Sequence, residues 1–330
     1  MRVLVTGATG FIGRHLVRRL MKAGEQVRVF ARPTSATAWL NSLGAEIVLG
    51  DIADLRAVER AVRNCQLAFH LAAKTTSSGL LSSKDVRATN IYGTENIATA
   101  AAQQGIDRVV FSSTVSVYGR TIRNRLIDEK TDAFPDSPYG HSKLAAEQVL
   151  LSRSHDGLPV VVARISTVWG PGNTSWQGLF RSIASGQFRT IGDGKNHHPI
   201  ADVEDIVEGL LLCGSVKGIE GQTYLLAGNE PVQLQSMVTM IGEEVGVTQL
   251  PRNLPSAPLK LYRGLDKASC RFIGRHLPRA DRITLFLADR GFNITRARKD
   301  LGYAPQISAR ATIHRMVEWY RTEGLLPSRG

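Results

Sequence analysis

Seven residues near the start of the chain, Gly7-Ala8-Thr9-Gly10-Phe11-Ile12-Gly13, constrain the fold more than any other feature. They follow an apolar, β-branched run and open a helical pattern, the context in which a glycine triplet carries meaning. Each glycine has its own use. Gly7 permits the tight turn, Gly10 lets the backbone approach a pyrophosphate, and Gly13 lets the helix pack closely on the strand before it. The helix start then offers N–H groups and a partial positive charge to the same anion. Thr9, Phe11 and Ile12 lie between the glycines and are expected to share that contact.

Beyond this turn, short β-branched runs alternate with helical spacing. The runs are Val3 to Thr6, Gln26 to Ala31, Glu46 to Leu49, Leu67 to Leu71, Arg108 to Ser112 and Val160 to Arg164. They are apolar enough to be buried on both faces, as parallel strands must be. Phe11 to Ala23, Leu55 to Asn64, Asp85 to Gln104 and Tyr139 to Arg153 carry the helical spacing between them. This alternation predicts an α/β fold with a doubly wound parallel sheet. After Gly170-Pro171-Gly172 the pattern is less regular, with helices expected over 179–185, 203–212, 234–245 and 311–322. The expected division is therefore a nucleotide-binding domain over 1–170 and a smaller substrate lobe over 171–330, which can return strands to the main sheet.

Composition narrows the setting. The cysteines, Cys65, Cys213 and Cys270, are odd in number, widely spaced and outside any Cys/His cluster. Neither a disulfide framework nor a metal site is expected. No signal peptide is evident, and no stretch reaches the roughly 18 consecutive apolar residues of a spanning helix. A cytoplasmic protein is expected. The net charge of +12 points to an anionic partner but does not choose among nucleotide, phosphorylated substrate, lipid surface and nucleic acid. No nucleic-acid-binding motif accompanies it, so nucleic acid is not expected.

The second strand bears on the choice of nucleotide. An NAD-selective protein places an acid there to meet the ribose 2′-OH, yet no Asp or Glu occurs from Val27 through Ala45. Arg32, Thr34 and Ser35 are available to meet a 2′-phosphate instead, so NADP is favoured over NAD. Asp51 and Ile52 follow the third strand and are expected at the adenine; Ala72, Ala73 and Lys74 follow the fourth and are expected beside the dinucleotide, with Lys74 also facing substrate.

Tyr139-Gly140-His141-Ser142-Lys143 sets a phenol and an ammonium four residues apart, on one face of a helix. A phenol with a pKa near 10 is a poor base at neutral pH, but a nearby cation favours its phenolate. Such a group exchanges a proton with an alcohol or ketone oxygen while hydride moves.

Together with the glycine turn, these residues resemble the extended short-chain dehydrogenases/reductases, the superfamily of nucleotide-sugar epimerases and dehydratases and 3β-hydroxysteroid dehydrogenases. The likeness extends through Asn90 in Asn90-Ile91-Tyr92-Gly93-Thr94-Glu95-Asn96, Ser112-Ser113-Thr114-Val115-Ser116-Val117-Tyr118-Gly119, Trp169-Gly170-Pro171-Gly172 and Asp300-Leu301-Gly302-Tyr303-Ala304-Pro305. It implies a Rossmann-type sheet, a catalytic set of Thr114, Tyr139 and Lys143, and Asn90 and Ser112 near the cofactor, with Lys143 also holding the nicotinamide ribose. Ser113 is the alternative hydroxyl to Thr114. The resemblance further implies a homodimer through the helices 85–104 and 139–153.

Departures from the family pattern concern substrate. Its dehydratases carry Asp-Glu directly after the catalytic hydroxyl, where this chain has Val115 and Ser116; dehydration is not expected. Nucleotide-sugar members carry an Asn and an Arg where Thr167 and His198 stand here, which weakens a diphosphate grip. The segment from Gly192 to Gly209 is closer to the sterol-type members, and His198 and Thr167 are candidate substrate contacts. Lys260, Arg263, Lys267, Arg271 and Arg275 recur at helical spacing, so a basic amphipathic helix able to meet an anionic membrane surface is a further expectation. The leading reading is an NAD(P)-dependent oxidoreductase acting on a secondary alcohol or ketone, sterol-like or otherwise cyclic. A nucleotide-sugar epimerase is the alternative, and a non-catalytic NAD(P)-binding protein the third.

Overall fold

Strand β1 (Arg2–Thr6) is buried on both sides, with Val3 and Val5 packing into one layer and Leu4 into the other. The same division runs through the neighbouring strands, which is how a parallel sheet comes to need helices over both faces. The computed structural model describes residues 1–75, 83–119, 126–247, 249–250, 253–255, 257, 261–262, 264–265, 269 and 289–327. The strands that follow β1 are β2 (Gln26–Ala31), β3 (Glu46–Leu49), β4 (Leu67–His70), β5 (Arg108–Thr114) and β6 (Val160–Ile165). Two small pairs come next, β7 (Val168–Trp169) with β9 (Ala201–Asp202) and β8 (His197–Pro199) with β11 (Pro231–Gln233). Between them, β10 (Gln222–Leu226) returns to the main sheet beside β6.

The main sheet has seven strands in the order β10-β6-β5-β4-β1-β2-β3, every neighbour parallel. The chain therefore winds outward in both directions from β1 and β4. At such a reversal the connections leave on opposite faces and open a crevice at the carboxyl ends of the strands.

Helices α1 (Phe11–Lys22) and α8 (Val203–Ser215) pack over one face of the sheet. Helices α3 (Leu55–Val62), α5 (Gly93–Gln104) and α6 (Pro138–His155) pack over the other, and α2 (Ala38–Ser42) and α4 (Ser83–Arg87) are short connectors. A separate apolar core joins Trp169 and Phe180 of α7 (Gln177–Ala184) to Met237 and Ile241 of α9 (Leu234–Val245). The same core takes in Ile313, Met316 and Tyr320 of the last described helix. This lobe lies apart from the two layers of the sheet.

The expected strands are present, and their ends differ from expectation by no more than two residues. β5 runs to Thr114 rather than Ser112, because its pairing with β6 continues through Ser113↔Arg164 and Thr114↔Ile165. β4 ends at His70, one residue earlier than expected. The helix expected over 85–104 is interrupted by a π-helical turn at Ala88–Tyr92. Such a turn inserts one residue into the ladder, a feature that recurs at functional sites. Helices at Ala38–Ser42 and Thr295–Leu301 were not foreseen. Lys260, Arg263, Lys267, Arg271 and Arg275 lie outside the described residues.

Candidate active site

The turn after β1 approaches the end of β4 so closely that only glycine fits. A Cβ on Gly7 would lie 2.6 Å from the Leu71 carbonyl carbon and 2.7 Å from the Ala72 nitrogen, and φ there is +73°. A Cβ on Gly13 would stand 2.2 Å from the Gly7 carbonyl oxygen, so α1 is pressed against the turn. Gly10 is the N-cap of α1, no side chain caps it, and its first turn holds no acid. The opening N–H groups of the helix, around Phe11 and Ile12, are thus left to an anion.

A cleft of about 410 Å³ opens beside this turn. Gly7, Thr9 and Gly10 form its base, and Arg32 stands at the end of β2. Asp51 and Ile52 flank it after β3, and Ala72, Ala73 and Lys74 after β4. Phe11, Ile12 and Gly13 are not among the residues that line the cleft. Gly50 and Thr89 also line the cleft and had not been foreseen. Gly50 has a legible reason: a Cβ there would meet Ala57 Cβ at 2.7 Å and the Phe30 ring at 2.8 Å. The Asp51 carboxylate accepts from the Ala53 N–H at 2.9 Å. An uncapped helix start, a backbone cradle that no Cβ can enter and an elongated cleft across the sheet reversal fit a dinucleotide.

Helix α6 carries the phenol and the ammonium. Ser137 caps it by accepting from the Gly140 N–H at 3.1 Å, and Pro138 sits in its first turn, where no intrahelical N–H bond is lost. Gly140 allows the close approach of the 3₁₀ turn Val115–Tyr118, since a Cβ there would lie 2.6 Å from the Ser116 carbonyl oxygen. Thr114 caps that turn, accepting from the Ser116 N–H at 3.2 Å. Thr114 and Tyr139 thus begin two abutting elements, and both are half-buried.

Burial pushes the Tyr139 phenol up to about 12, the reverse of the shift expected from a nearby ammonium. The Lys143 Nζ sits 4.0 Å above the centre of the Phe111 ring. Burial brings the Lys143 ammonium down to about 7, with Glu147 one turn further along α6 opposing that shift. Glu147 is itself buried and paired with Arg164, whose Nη2 lies 2.7 Å from Oε2. Ser113 donates to Glu147, and Arg164 donates to the Tyr118 hydroxyl at 2.7 Å. Ser113 therefore points into this buried network, on the opposite side of β5 from Thr114. Ser112, half-buried, pairs in register with Ala163.

Asn90 is buried in the π turn and joins three elements. Its Oδ1 accepts from the Lys74 N–H at 2.8 Å, and its Nδ2 donates to the Lys74 carbonyl at 3.0 Å and to Ser142 Oγ at 2.9 Å. Ser142 in turn donates to the Tyr139 carbonyl at 2.8 Å. On its backbone side, the Asn90 carbonyl accepts from Thr94 Oγ1 at 2.7 Å. With the Thr94 proton so committed, the 2.9 Å contact to His70 must run from His70 Nε2–H to Thr94. His70 Nδ1 then accepts from Thr6 Oγ1 at 2.8 Å, and Thr6 accepts from the Ala72 N–H at 3.1 Å. Burial holds the His70 imidazolium down to about 3, with the Lys143 charge adding to that shift. An unbroken series of hydrogen bonds thus links the cleft wall at Ala72 to the helix that carries Tyr139.

Thr167 and His198 lie elsewhere. Thr167 is half-buried and its carbonyl accepts from the Ala201 N–H at 3.2 Å; His198 is buried in the β8–β11 pair, opposite Val232 and 3.1 Å from Asn196 Nδ2. Neither lines the cleft.

Residues 3–227 match the profile of the NAD dependent epimerase/dehydratase family. The chain belongs to that family, among its NAD-dependent oxidoreductases and epimerases. It is 29% identical over 317 residues to the 4-hydroxy-2-methyl-3-oxo-4-farnesyl-3,4-dihydroquinoline-1-oxide ketoreductase of Stigmatella aurantiaca, covering 93% of each chain. It is 30% identical to the 3 beta-hydroxysteroid dehydrogenase/Delta 5-->4-isomerase of Mycobacterium tuberculosis, over 97% of this chain and 90% of that one. Among solved structures, gox2253 superposes with a TM-score of 0.84 at 29% identity, covering 98% of this chain and 99% of the other. MoeE5 in complex with UDP-glucose and NAD gives 0.75 at 27% identity over 98% and 99%.

Proposed function

We propose that the chain is an NADP-preferring ketoreductase that interconverts a cyclic ketone and its secondary alcohol, with reduction the favoured direction. The observation that carries the reading is the set of Thr114, Tyr139 and Lys143 on abutting elements, with Tyr139 tied through Ser142 and Asn90 to the cleft wall at Lys74. The phenol raised to about 12 is in its acid form at neutral pH, the form that gives a proton to a ketone oxygen. Relatives named for a ketoreductase and a 3β-hydroxysteroid dehydrogenase, each covered over nearly their whole length, agree with such a substrate.

The glycine turn and the start of α1 hold the cofactor's pyrophosphate, and Arg32 meets its 2′-phosphate. When bound, the reduced nicotinamide supplies the hydride. Thr114 Oγ1 donates to the substrate carbonyl oxygen and orients it. Tyr139 Oη gives that oxygen its proton as the carbonyl carbon gains hydride, leaving a phenolate. Lys143 faces the resulting negative charge and holds the ribose, and its ammonium lies in a range where it can exchange a proton near neutral pH. The part assigned to substrate is the separate lobe built on α7, α9 and the last described helix.

A nucleotide-sugar epimerase is the competing reading, favoured by the likeness to a protein solved with UDP-glucose and NAD. The same acid–base set would serve it, but it would return the cofactor to its starting state. Purified protein is mixed with NADPH or NADH and a panel of cyclic ketones, 3-oxosteroids among them, and separately with NAD+ or NADP+ and UDP-sugars. One equivalent of reduced cofactor consumed per alcohol formed, faster with NADPH, is the expected result. An isomeric sugar formed without net cofactor change would replace this reading with the epimerase.

A further inference from the structure

Three side chains of α6 recur at one-turn intervals along a single face, Tyr139, Lys143 and Glu147. The third is an acid only 1% exposed, beside an ammonium that is 2% exposed. A charge taken so far from water persists only when its hydrogen-bonding sites are filled. Glu147 meets that condition at both oxygens. Oε1 accepts from Ser113 Oγ and from Arg164 Nε at 3.1 Å, and Oε2 accepts from Arg164 Nη2 at 2.7 Å. Arg164 is itself buried and sets its remaining edge against Tyr118, donating from Nη1 to the hydroxyl at 2.7 Å with its guanidinium carbon 4.9 Å from the ring centre.

These partners border the reacting groups. Ser113 immediately precedes Thr114 and stands opposite Arg164 in the β5–β6 register, and Tyr118 ends the 3₁₀ turn that Thr114 caps. Packing alone does not call for an ion pair here, because a buried pair is often replaced by apolar side chains of similar volume without loss of stability. The charge on Lys143 does call for one. Its ammonium, stripped of water, has the Phe111 ring 4.0 Å away and the Glu147 carboxylate one turn along the helix to offset its burial. Two further titratable groups stand near it without supplying an anion. Tyr139, on the same helix face, is in its acid form, and His70, from β4, is kept neutral by burial. It is Glu147, and not Arg164, whose charge acts on Lys143, so the pair turns its negative end to the ammonium.

We propose that Glu147, gripped by Arg164 and Ser113, is a positioning residue for the reaction, its carboxylate being the counter-charge that keeps Lys143 an ammonium when Tyr139 gives up its proton. The inference deepens the ketoreductase reading and rests on it for its bearing on turnover. A phenolate formed beside a neutral amine has no cation to face, so loss of this carboxylate lowers the pH above which reduction fails. Arg164 and Ser113 hold the carboxylate in place, and the same grip fixes the strand end that presents Thr114.

The protonation of Lys143 can be followed without turnover. Protein carrying carbon-13 at lysine Cε is titrated across the neutral range by NMR, the Lys143 resonance being assigned by its loss in Lys143→Arg. In Glu147→Gln the Lys143 midpoint is expected to fall by about half a pH unit to two units, the effect of removing one adjacent opposite charge. The alkaline limb of kcat for ketone reduction with NADPH should fall with it, while KM for the ketone stays within about threefold. Glu147→Asp keeps the charge and should restore most of the midpoint. A merely structural acid would lower the thermal midpoint of Glu147→Gln and leave the Lys143 titration where it was. Should the unpaired guanidinium keep Glu147→Gln from folding, Glu147→Met combined with Arg164→Met removes the pair as a neutral unit, and a fall of about half a pH unit or more is expected there as well. A Lys143 midpoint that moves by less than this in the folded variant, or moves upward, overturns the inference, whether or not ketone is reduced. A lowered midpoint in a protein that reduces no ketone overturns the ketoreductase reading and leaves the counter-charge standing.

Discussion

Tyr139 and Lys143 show how far two residues can depart from their solution chemistry once buried. Ordinarily the two groups lose their protons at nearly the same pH; with the phenol raised to about 12 and the ammonium lowered to about 7, Lys143 becomes much the stronger acid, one helical turn from Tyr139. Tyr139→Phe should lower turnover by on the order of a hundred- to ten-thousandfold while cofactor affinity, read by calorimetry, stays within about twofold. His70 makes a second prediction. Its proton affinity is depressed in the folded state, so between about pH 3 and 6.5 the unfolded chain binds the extra proton. Stability from this group is therefore complete above 6.5 and lost as pH falls, by up to about 1.4 kcal/mol per pH unit. Urea midpoints measured from pH 7 to 4.5 should show a slope that flattens in His70→Asn. At this scale Tyr139, Lys143 and the glycines were legible because their spacing is specific. Glu147 and Arg164 were not, since an acid on a helix and a cation in a strand read alike whether they face water or each other.

Elements explain what single residues leave open. The strands could be read almost to their ends because β1, β5 and β6 are apolar at consecutive positions, which only a doubly covered parallel strand requires. The π turn at Ala88–Tyr92 had no such signal: its sequence is ordinary for a helix, and the extra residue is stabilised by what Asn90 reaches once turned inward. Asn90→Ala would leave the Lys74 peptide and Ser142 short of partners, and a loss of roughly 2–4 kcal/mol in unfolding free energy is expected. The Lys74 amide should exchange with solvent faster in native-state hydrogen exchange, a change that general destabilisation would spread evenly over α5. Gly140→Ala tests the junction of α6 with the turn after Thr114. Its Cβ would lie 2.6 Å from a backbone oxygen, so the helix must shift. The expected result is about 1–3 kcal/mol of destabilisation and a drop in kcat larger than any change in cofactor affinity.

Across the whole molecule, the chain's later half completes the earlier one. β10 closes the sheet beside β6, and α8 lays Ile206, Val207, Leu210 and Cys213 onto the same layer that α1 covers. The sequence pattern found α8 and allowed later strands to return to the main sheet, but did not single out Gln222–Leu226 as the one that does, because five residues so far along the chain carry no information about their neighbour. A chain cut after residue 170 would uncover that layer; it should bind a hydrophobic dye and lose a cooperative thermal transition, and a sharp native-like transition would show the first part to be self-sufficient.

The hydrogen bonds from Ala72 through Thr6, His70 and Thr94 to Asn90 all point one way, each donor passing its hydrogen toward the π turn. Such an arrangement fixes a single imidazole tautomer, because the other would require every hydroxyl along the series to turn over together. The protein thereby contains its own spectroscopic probe. The proton on His70 Nε2, sealed from solvent, should give a sharp resonance far downfield of the amides. Cofactor binding at Ala72 would move that resonance although no ligand atom comes near the ring, so occupancy of the cleft could be read from the interior of the native molecule without a label.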